Sequence, residues 1–393
     1  MPAHVPTRSR TTATVLGTVF VDVIGFAMIL PILPGTAASL GASPTLIGIL
    51  VASYSAVQLL LAPVWGRVSD RIGRRPVLLL GLTGSAVSYV VFALAGSWPL
   101  LLLSRLLDGG SGATTNVAQA WLADETTPER RSRAMGQVGA AVGLGFIVGP
   151  ILGGITATRG VALTGWVAAA ITLVNLVVAM VALPPAPPRR EAPGAIPAAA
   201  GRHQLLVPLA VLFLATLAFT VMYVVFPLWG EATVGADRST VGYWFAFIGF
   251  ITALTQGGIL GRLVSRLGEA GTTRIGAGLL AAGLMCIATT AGGPAWQFYG
   301  VLALLGAGYG LAGPPMLGLI SRATGAHRQG RVLGVAQSVA SMARIVGPVV
   351  AGAAMGVVDA RFAFVTSGAL ALGALACTLV PATILRPGLE AGR

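Results

Sequence analysis

The feature that most constrains the fold of this chain is a series of apolar windows of about twenty residues, each bounded by charges or by proline and glycine clusters. An α-helix rises about 1.5 Å per residue, so about twenty apolar residues cross the hydrocarbon core of a bilayer. The windows fall at roughly 12–34, 45–65, 77–96, 98–121, 134–157, 161–183, 205–229, 240–261, 274–292, 295–319, 331–357 and 362–384. This pattern predicts an all-α membrane protein with twelve transmembrane helices.

The composition excludes most other classes of protein. Of the 393 residues, 55% are hydrophobic and only 9% are charged, whereas an average soluble domain is roughly 25% charged. A soluble enzyme would have too little charge to cover its surface, and disorder requires low hydrophobicity. The two cysteines, Cys286 and Cys377, lie in apolar runs without metal-ligand spacing. We therefore expect no metal and no bound cofactor.

The arginines predict which way the helices cross the membrane. Twenty of them fall on one side of the predicted helices, three on the other, and two inside spans. Cytoplasmic loops carry an excess of positive charge, so both termini are predicted to be cytoplasmic. The formal net charge of +13 then requires no nucleic-acid partner. The first apolar run is longer than a signal-peptide core and contains Asp22, which predicts a retained first span.

The chain reads as two related halves. Residues 184–204 are rich in proline and alanine and predict a cytoplasmic linker between a six-helix half at 1–183 and a second at 205–393. The segment at 66–73 returns 195 residues later, and the segment at 146–154 returns 198 residues later. An offset of six helices keeps the same orientation, so we predict two parallel repeats around a central cavity.

Asp22 is a candidate proton carrier. It lies about ten residues into the first span, which is about 15 Å along a helix. An ionised acid at such a depth costs roughly 2.5–3.5 kcal/mol, so burial favours the neutral acid. A carboxyl group that loads and releases a proton can couple transport to a proton gradient. The alternative is a neutral acid that only forms a hydrogen bond to a neighbouring helix.

Two arginines also lie inside predicted spans. Arg105 and Asp108 are three residues apart and share one helix face. They form either an ion pair that only holds the helix in place or a pair whose arginine competes for carboxylates during transport. Arg344 occupies the place of Phe146 in the repeat. It is predicted to pair with Asp22 or Asp108, or to reach water near the cytoplasmic mouth.

Four segments, in order, resemble motifs of the major facilitator superfamily. They are Asp22-x2-Gly25-x5-Pro31-x2-Pro34, GRVSDRIGRRPVL at 66–78, RLLDG at 105–109 and GFIVGPILGG at 145–154. The chain is most similar to the twelve-span drug:proton antiporters, the tetracycline exporters among them. This resemblance implies proton-driven export of a small, largely apolar drug-like compound or metabolite through the inner membrane by alternating access. Multidrug efflux and antibiotic resistance are its expected settings.

The resemblance also implies roles for two motifs. The loop motif would form a gate in which Asp70 and nearby arginines close the cytoplasmic side, although the arginines could simply set topology. Its candidate residues are Gly66, Asp70, Arg71, Gly73, Arg74 and Arg75. The fifth-span motif would serve antiport, whereas its spacing alone predicts a tight, bendable helix contact. Its residues are Gly145, Gly149, Pro150, Gly153 and Gly154.

Polar and aromatic residues in the apolar runs suggest a mostly apolar cargo cavity. They are Tyr54, Gln58, Asn116, Gln119, Tyr223, Trp244, Phe247, Tyr309 and Gln337. The tetracycline exporters carry further acids in the third and ninth spans, whereas windows 77–96 and 274–292 contain none. This difference argues against tetracycline as the cargo.

The alternatives to an exporter are an uptake symporter or uniporter of the same fold and, more remotely, a membrane enzyme or scaffold. The sequence contains no HExxH motif, no phosphate-binding loop and no histidine inside a predicted span. We therefore expect no enzymatic activity. The expected partners are protons, a small molecule and the lipid bilayer, and we expect a monomer.

Overall fold

The computed structural model describes residues 5–112, 114–126, 128–184, 202–322 and 329–379. Throughout these ranges the secondary structure is helical, with no β-strand. The predicted linker at 184–204 falls almost entirely outside them. The prediction of an all-α membrane fold is confirmed.

Besides two 3₁₀ segments and one π-helical segment, the described ranges contain sixteen α-helices. They are α1 (Val5–Ile29), α2 (Leu33–Ser39), α3 (Pro44–Ile72), α4 (Arg74–Ala93), α5 (Trp98–Ser111), α6 (Thr114–Glu125), α7 (Pro128–Ala157), α8 (Val161–Ala182), α9 (Arg202–Thr220), α10 (Val225–Val234), α11 (Arg238–Leu254), α12 (Leu260–Cys286), α13 (Ala295–Ala312), α14 (Pro314–Arg322), α15 (Gln329–Val357) and α16 (Ala360–Thr378).

In the described residues each of the twelve apolar windows lies mostly on helix, although helices and windows do not correspond one to one. In the described ranges, ten helical segments are long and apolar enough to cross a bilayer. One of them, Arg238–Thr289, is 52 residues long and contains both the 240–261 and the 274–292 windows. The 98–121 window is divided between α5 and α6, each too short to be counted alone. Gly112 is the C-cap of α5 and lies at this division.

Prolines interrupt the first and seventh spans. A proline has no backbone N–H, so the carbonyl four residues earlier loses its helical partner. Pro34 frees the carbonyl of Leu30 in this way, and residues 30–32 form a turn between α1 and α2. Pro227 likewise frees the carbonyl of Tyr223, at the end of a 3₁₀ segment, Val221–Tyr223. Both interruptions therefore have a local sequence cause.

Within the described residues, contacts group the chain into two compact units. The first comprises Met1–Ser43, Ser53–Gly194 and Ala236–Ala246. The second comprises Pro44–Ala52, Ala195–Gly235 and Phe247–Arg393.

Close helix packing in the second unit depends on glycine. A Cβ atom added to Gly276 would lie 2.6 Å from the backbone carbon of Leu311, and one added to Gly308 would lie 2.7 Å from the Cα atom of Leu280. Small residues let helix backbones approach closely where no hydrophobic drive exists between helices in lipid. The α12–α13 contact is therefore built on glycine.

The outer surface of the helices is apolar, as expected for a protein in lipid. Leu60 and Trp296 are each 73% exposed, and Val181 is 84% exposed. A soluble protein rarely exposes so many large apolar side chains on its helices. Together with the ten long apolar segments, this surface identifies a multi-pass membrane protein.

Candidate functional site

A cluster of buried polar side chains lies in the first unit, where α1, α4 and α5 meet. Its charged members are Asp22 on α1 and Arg105 and Asp108 on α5. Polar groups inside an apolar span are costly to bury and mark functional sites by default. We refer to this group, with the hydroxyl groups that surround it, as the Asp22 cluster.

The predicted pairing of Arg105 and Asp108 is present. The Nη1 atom of Arg105 lies 3.1 Å from Oδ2 of Asp108, and each residue is only 2% exposed. The Cζ atom of Arg105 lies 5.9 Å from the centre of the Phe92 ring, which is within cation–π range. Its Nε and Nη2 atoms are buried and donate to no group in the described residues. Half of the guanidinium therefore remains able to bind a second acceptor.

Hydroxyl groups of α4 surround Asp108. Ser85, Ser88 and Tyr89 all lie within hydrogen-bonding range of its carboxyl group. They are spaced three and four residues apart on α4, which places them on one helix face. These three residues are not among the site residues predicted from the sequence. The signal that could have found them is this spacing of hydroxyl groups within an apolar span.

Asp22 faces the same cluster from α1. Ser85 and Thr114 lie beside its carboxyl group, and Asp108 is close enough to repel its negative charge. Its Oδ1 atom is buried and has no properly oriented hydrogen-bond donor within the described part of the chain. A buried ionised carboxylate with an unsatisfied oxygen is costly, so this environment favours the protonated form of Asp22.

The charges of the Asp22 cluster balance only when one proton is bound. Two carboxylates and one guanidinium carry one net negative charge, whereas a single proton on either acid makes the group neutral. Burial penalises a net charge strongly. The chemistry available to this site is therefore the uptake and release of one proton.

Glycines on α7 hold that helix against α1 beside Asp22. A Cβ atom added to Gly145 would lie 2.7 Å from Cγ1 of Val23, and one on Gly149 would lie 2.9 Å from the carbonyl oxygen of Ile24. Gly153 is packed against the backbone of Met28 in the same way. The fifth-span motif thus lies directly along the helix that carries Asp22.

The two remaining members of this motif contact α11. A Cβ atom on Gly154 would lie 3.0 Å from the carbonyl oxygen of Ser239. The carbonyl group of Pro150 lies against Gly242. Both contacts belong to the first unit.

We expect valine at Gly153 to displace α7 from α1. The new side chain would collide with the carbonyl group of Met28, which cannot rotate away, so the free energy of unfolding should fall by about 1–3 kcal/mol or more. Thermal unfolding of the purified protein in detergent measures this loss. Gly143→Val is the matched control, because nothing lies within 4 Å of a Cβ atom there. Equal loss in both variants would show that helix propensity, not the contact, is responsible.

The loop between α3 and α4 is organised around Arg74. Its Nη1 atom lies 2.6 Å from Oδ1 of Asp70, and its Nε atom lies 3.1 Å from Oδ2 of Asp124. Arg74 also donates to the hydroxyl group of Ser69. Asp124 lies at the end of α6, some fifty residues away, and the sequence analysis did not single it out. The acid of the loop motif therefore pairs with an arginine of its own loop.

The other members of the loop motif have separate roles. Gly73 has a φ of 99°, a conformation that favours glycine, and Gly268, 195 residues later in the sequence, has a φ of 69°. Gly66 lies inside α3, where a Cβ atom would meet nothing within 4 Å, so the turn depends on Gly73 alone. Arg71 is exposed. Arg75 donates to the carbonyl group of Met180.

Arg344 lies in the second unit, on α15. Its Nη2 atom donates to the hydroxyl group of Ser341 at 2.8 Å. The phenol groups of Tyr223 and Tyr309 lie close enough to interact with its charge. None of the ion pairs formed by the described residues includes Arg344. Asp22 and Asp108 belong to the first unit, so the pairing of Arg344 with either of them stays a prediction.

The nine candidate cargo residues are distributed over both units. In the first unit, Gln58 donates to the Tyr54 hydroxyl at 3.1 Å, and the Tyr54 ring centre lies 4.5 Å from that of Phe26. In the second unit, Tyr223 and Tyr309 surround Arg344 as described. The others lie apart: Trp244 is buried, Phe247 contacts Tyr299, and Asn116, Gln119 and Gln337 are exposed.

Comparison with known proteins supports the assignment of the fold. The sequence pattern described as Major Facilitator Superfamily matches residues 15–348. The class D tetracycline resistance protein of Salmonella ordonez is 36% identical over 83% of this chain and 85% of its own length. The class E protein of Escherichia coli is 32% identical over 87% of each chain.

A solved structure shows the same architecture. The crystal structure of the human organic anion transporter MFSD10 superposes with a TM-score of 0.73, covering 95% of this chain and 100% of that one at 24% identity. This likeness concerns the fold. The match over most of the chain, the long apolar helices and the buried charges inside them lead to one conclusion: the chain belongs to the major facilitator superfamily of membrane transporters.

Proposed function

We propose that this protein is a proton-coupled secondary exporter of small, largely apolar compounds. The observation that carries the proposal is the Asp22 cluster, in which two buried carboxyl groups lie close together and only one of them, that of Asp108, pairs with a guanidinium. Such a cluster is electrically balanced only with one proton bound. A protein that binds a proton and a cargo in alternation couples their movements in opposite directions.

The membrane potential supplies enough energy for this exchange. One elementary charge that moves across 100 mV releases about 2.3 kcal/mol, which corresponds to roughly 50-fold accumulation. A single proton per cycle therefore suffices to lower the internal concentration of a toxic compound substantially. A proton gradient is the only energy source that the proposal needs.

The direction of transport is inferred from relatives and topology. Both relatives described above are named for tetracycline resistance, which favours export of a drug. The arginine distribution favours cytoplasmic termini. Tetracycline itself is a poor candidate, because windows 77–96 and 274–292 contain no acid. We propose instead a drug-like compound or a metabolite of the producing cell.

Accumulation of a fluorescent apolar drug in cells tests the proposal. Cells that express the protein should hold less drug than cells with an empty vector, and a protonophore should remove the difference. A lower drug content that survives the protonophore would contradict proton coupling. A higher drug content in expressing cells would indicate uptake.

A further inference from the structure

Arg344 differs from the other charged residues of the second unit. Within the described ranges, it is the one charged residue of that unit that lies in the middle of an apolar window. It lies about ten residues from the start of the helical span Gly334–Val357, which is about 15 Å along the helix. A charge at such a depth is costly unless an opposite charge or several polar groups accompany it.

Among the described residues of the second unit, Arg344 forms no ion pair. Its guanidinium donates to Ser341, and two phenol groups lie beside it. Hydroxyl oxygens lower the cost of the charge but do not neutralise it. The positive charge of Arg344 is therefore not paired with a carboxylate among the described residues of its own unit.

An aromatic surface lies next to this charge. The rings of Phe219 and Tyr309 are stacked, with centres 3.9 Å apart and planes 15° apart. Tyr223 meets Phe219 edge to face at 5.8 Å. A flat pair of rings offers a contact for another flat apolar group. Charge and aromatic surface thus lie side by side.

Local packing fixes Arg344 beside these rings. Gly347 lies three residues later on the same helix face, and a Cβ atom there would collide with the side chain of Thr220. Thr220 is the last residue of α9, directly before the 3₁₀ segment that carries Tyr223. The close contact at Gly347 holds α15 against this segment, so the position of the guanidinium is built into the helix packing.

We propose that Arg344 is the charge-recognition residue for the cargo, and that the cargo is a planar, largely apolar compound with one negative charge. A guanidinium binds a carboxylate through two parallel hydrogen bonds, while the neighbouring rings contact the flat body of the compound. This inference rests on the proposed export function and adds the substrate class to it. It also gives Arg344 the anion that its depth requires.

The charge of the cargo changes the energetics of exchange. One proton that enters while one anion leaves moves two elementary charges in the favourable direction. At 100 mV, each charge that moves raises the attainable concentration ratio of the cargo roughly 50-fold. The two charges together therefore raise this ratio roughly 2,500-fold. An anionic cargo would thus be exported more strongly than a neutral one at the same potential.

Equilibrium binding at fixed pH, without any gradient, tests the inference. The full-length protein in lipid nanodiscs is titrated with three aromatic acids, namely benzoate, 2-naphthoate and 9-anthracenecarboxylate. It is also titrated with the amide of each acid. Each amide has the same flat body without the charge. At least one acid should bind ten-fold more tightly than its amide. Arg344→Gln should remove that preference and leave amide binding unchanged.

Further variants separate recognition from folding. Arg344→Lys keeps the positive charge but loses the two parallel hydrogen bonds of the guanidinium. Its preference for the acid over the amide should therefore lie between that of the wild type and that of Arg344→Gln. Ser341→Ala should weaken acid binding several-fold, and it tests the site even if Arg344→Gln fails to fold. Arg361→Gln, at an exposed position of α16, is the matched control and should keep the full preference.

Two results would overturn the inference: no acid preferred over its amide in any pair, or a preference that survives Arg344→Gln. Because no proton gradient is present, either result leaves the proposed export function intact. Conversely, failure of the protonophore experiment would reject proton coupling and leave the acid preference standing.

Discussion

Asparagine at Asp22 should abolish transport against a concentration gradient, with a loss of at least roughly 50-fold in accumulation at 100 mV. The amide has nearly the same shape but cannot bind and release a proton. Without that exchange the Asp22 cluster cannot alternate between its neutral and charged states. Drug accumulation in everted membrane vesicles, energised by a proton gradient, measures the effect.

Asp22→Asn should not abolish movement down a gradient. The variant retains the helix packing around Gly25 and Gly145, so cargo should still equilibrate across the membrane. Asp237→Asn is the matched control. Asp237 is an exposed acid before α11, and hydrogen bonds from Thr240 hold its pKa below the usual value. The Asp237→Asn variant should transport the cargo at the wild-type rate. Normal uphill transport by Asp22→Asn would exclude Asp22 as the proton carrier and leave Asp108 as the candidate.

Leucine at Arg105 should have the largest effect on stability. It would leave the carboxylate of Asp108 buried without its partner, and loss of one member of a buried ion pair typically costs about 3–5 kcal/mol. Protonation of Asp108 in the variant would reduce the loss of stability towards about 3 kcal/mol. Unfolding of the purified protein by titration with a denaturing detergent, monitored by circular dichroism, measures the change.

The double variant Arg105→Leu/Asp108→Leu distinguishes two roles of the Arg105–Asp108 ion pair: proton coupling during transport, or only holding the helix in place. Removal of both charges should restore most of the stability, because no unpaired charge remains. If Arg105 acts in coupling, transport should stay absent in this stable protein. Restored proton-coupled transport would show that the pair only holds the helix in place.

The fold could be predicted from the sequence because its main determinant is one-dimensional. A run of apolar residues long enough to cross a bilayer has few alternatives to helix, and the described residues of all twelve windows lie mostly on helices. The breaks were harder to predict. The end of α5 at Gly112 and the continuous helical segment Arg238–Thr289 depend on local backbone geometry that hydropathy does not report.

The charged residues of the candidate site could be predicted for the same reason. Asp22, Arg105 and Asp108 stand out because charges are rare in apolar runs. Their hydroxyl partners were harder to predict, since the spacing of Ser85, Ser88 and Tyr89 indicates a shared helix face but not the direction in which that face points. The bond from Arg74 to Asp124 joins residues fifty positions apart, and no local pattern indicates it.

The central claim is that cargo and proton move in exchange. Purified protein is reconstituted in liposomes with a pH-sensitive dye inside and an imposed proton gradient, and candidate compounds are then added. The account predicts that an added cargo triggers proton movement in liposomes with wild-type protein and not in those with Asp22→Asn. Cargo that crosses the membrane equally fast with and without the gradient, with no change in internal pH, would contradict it.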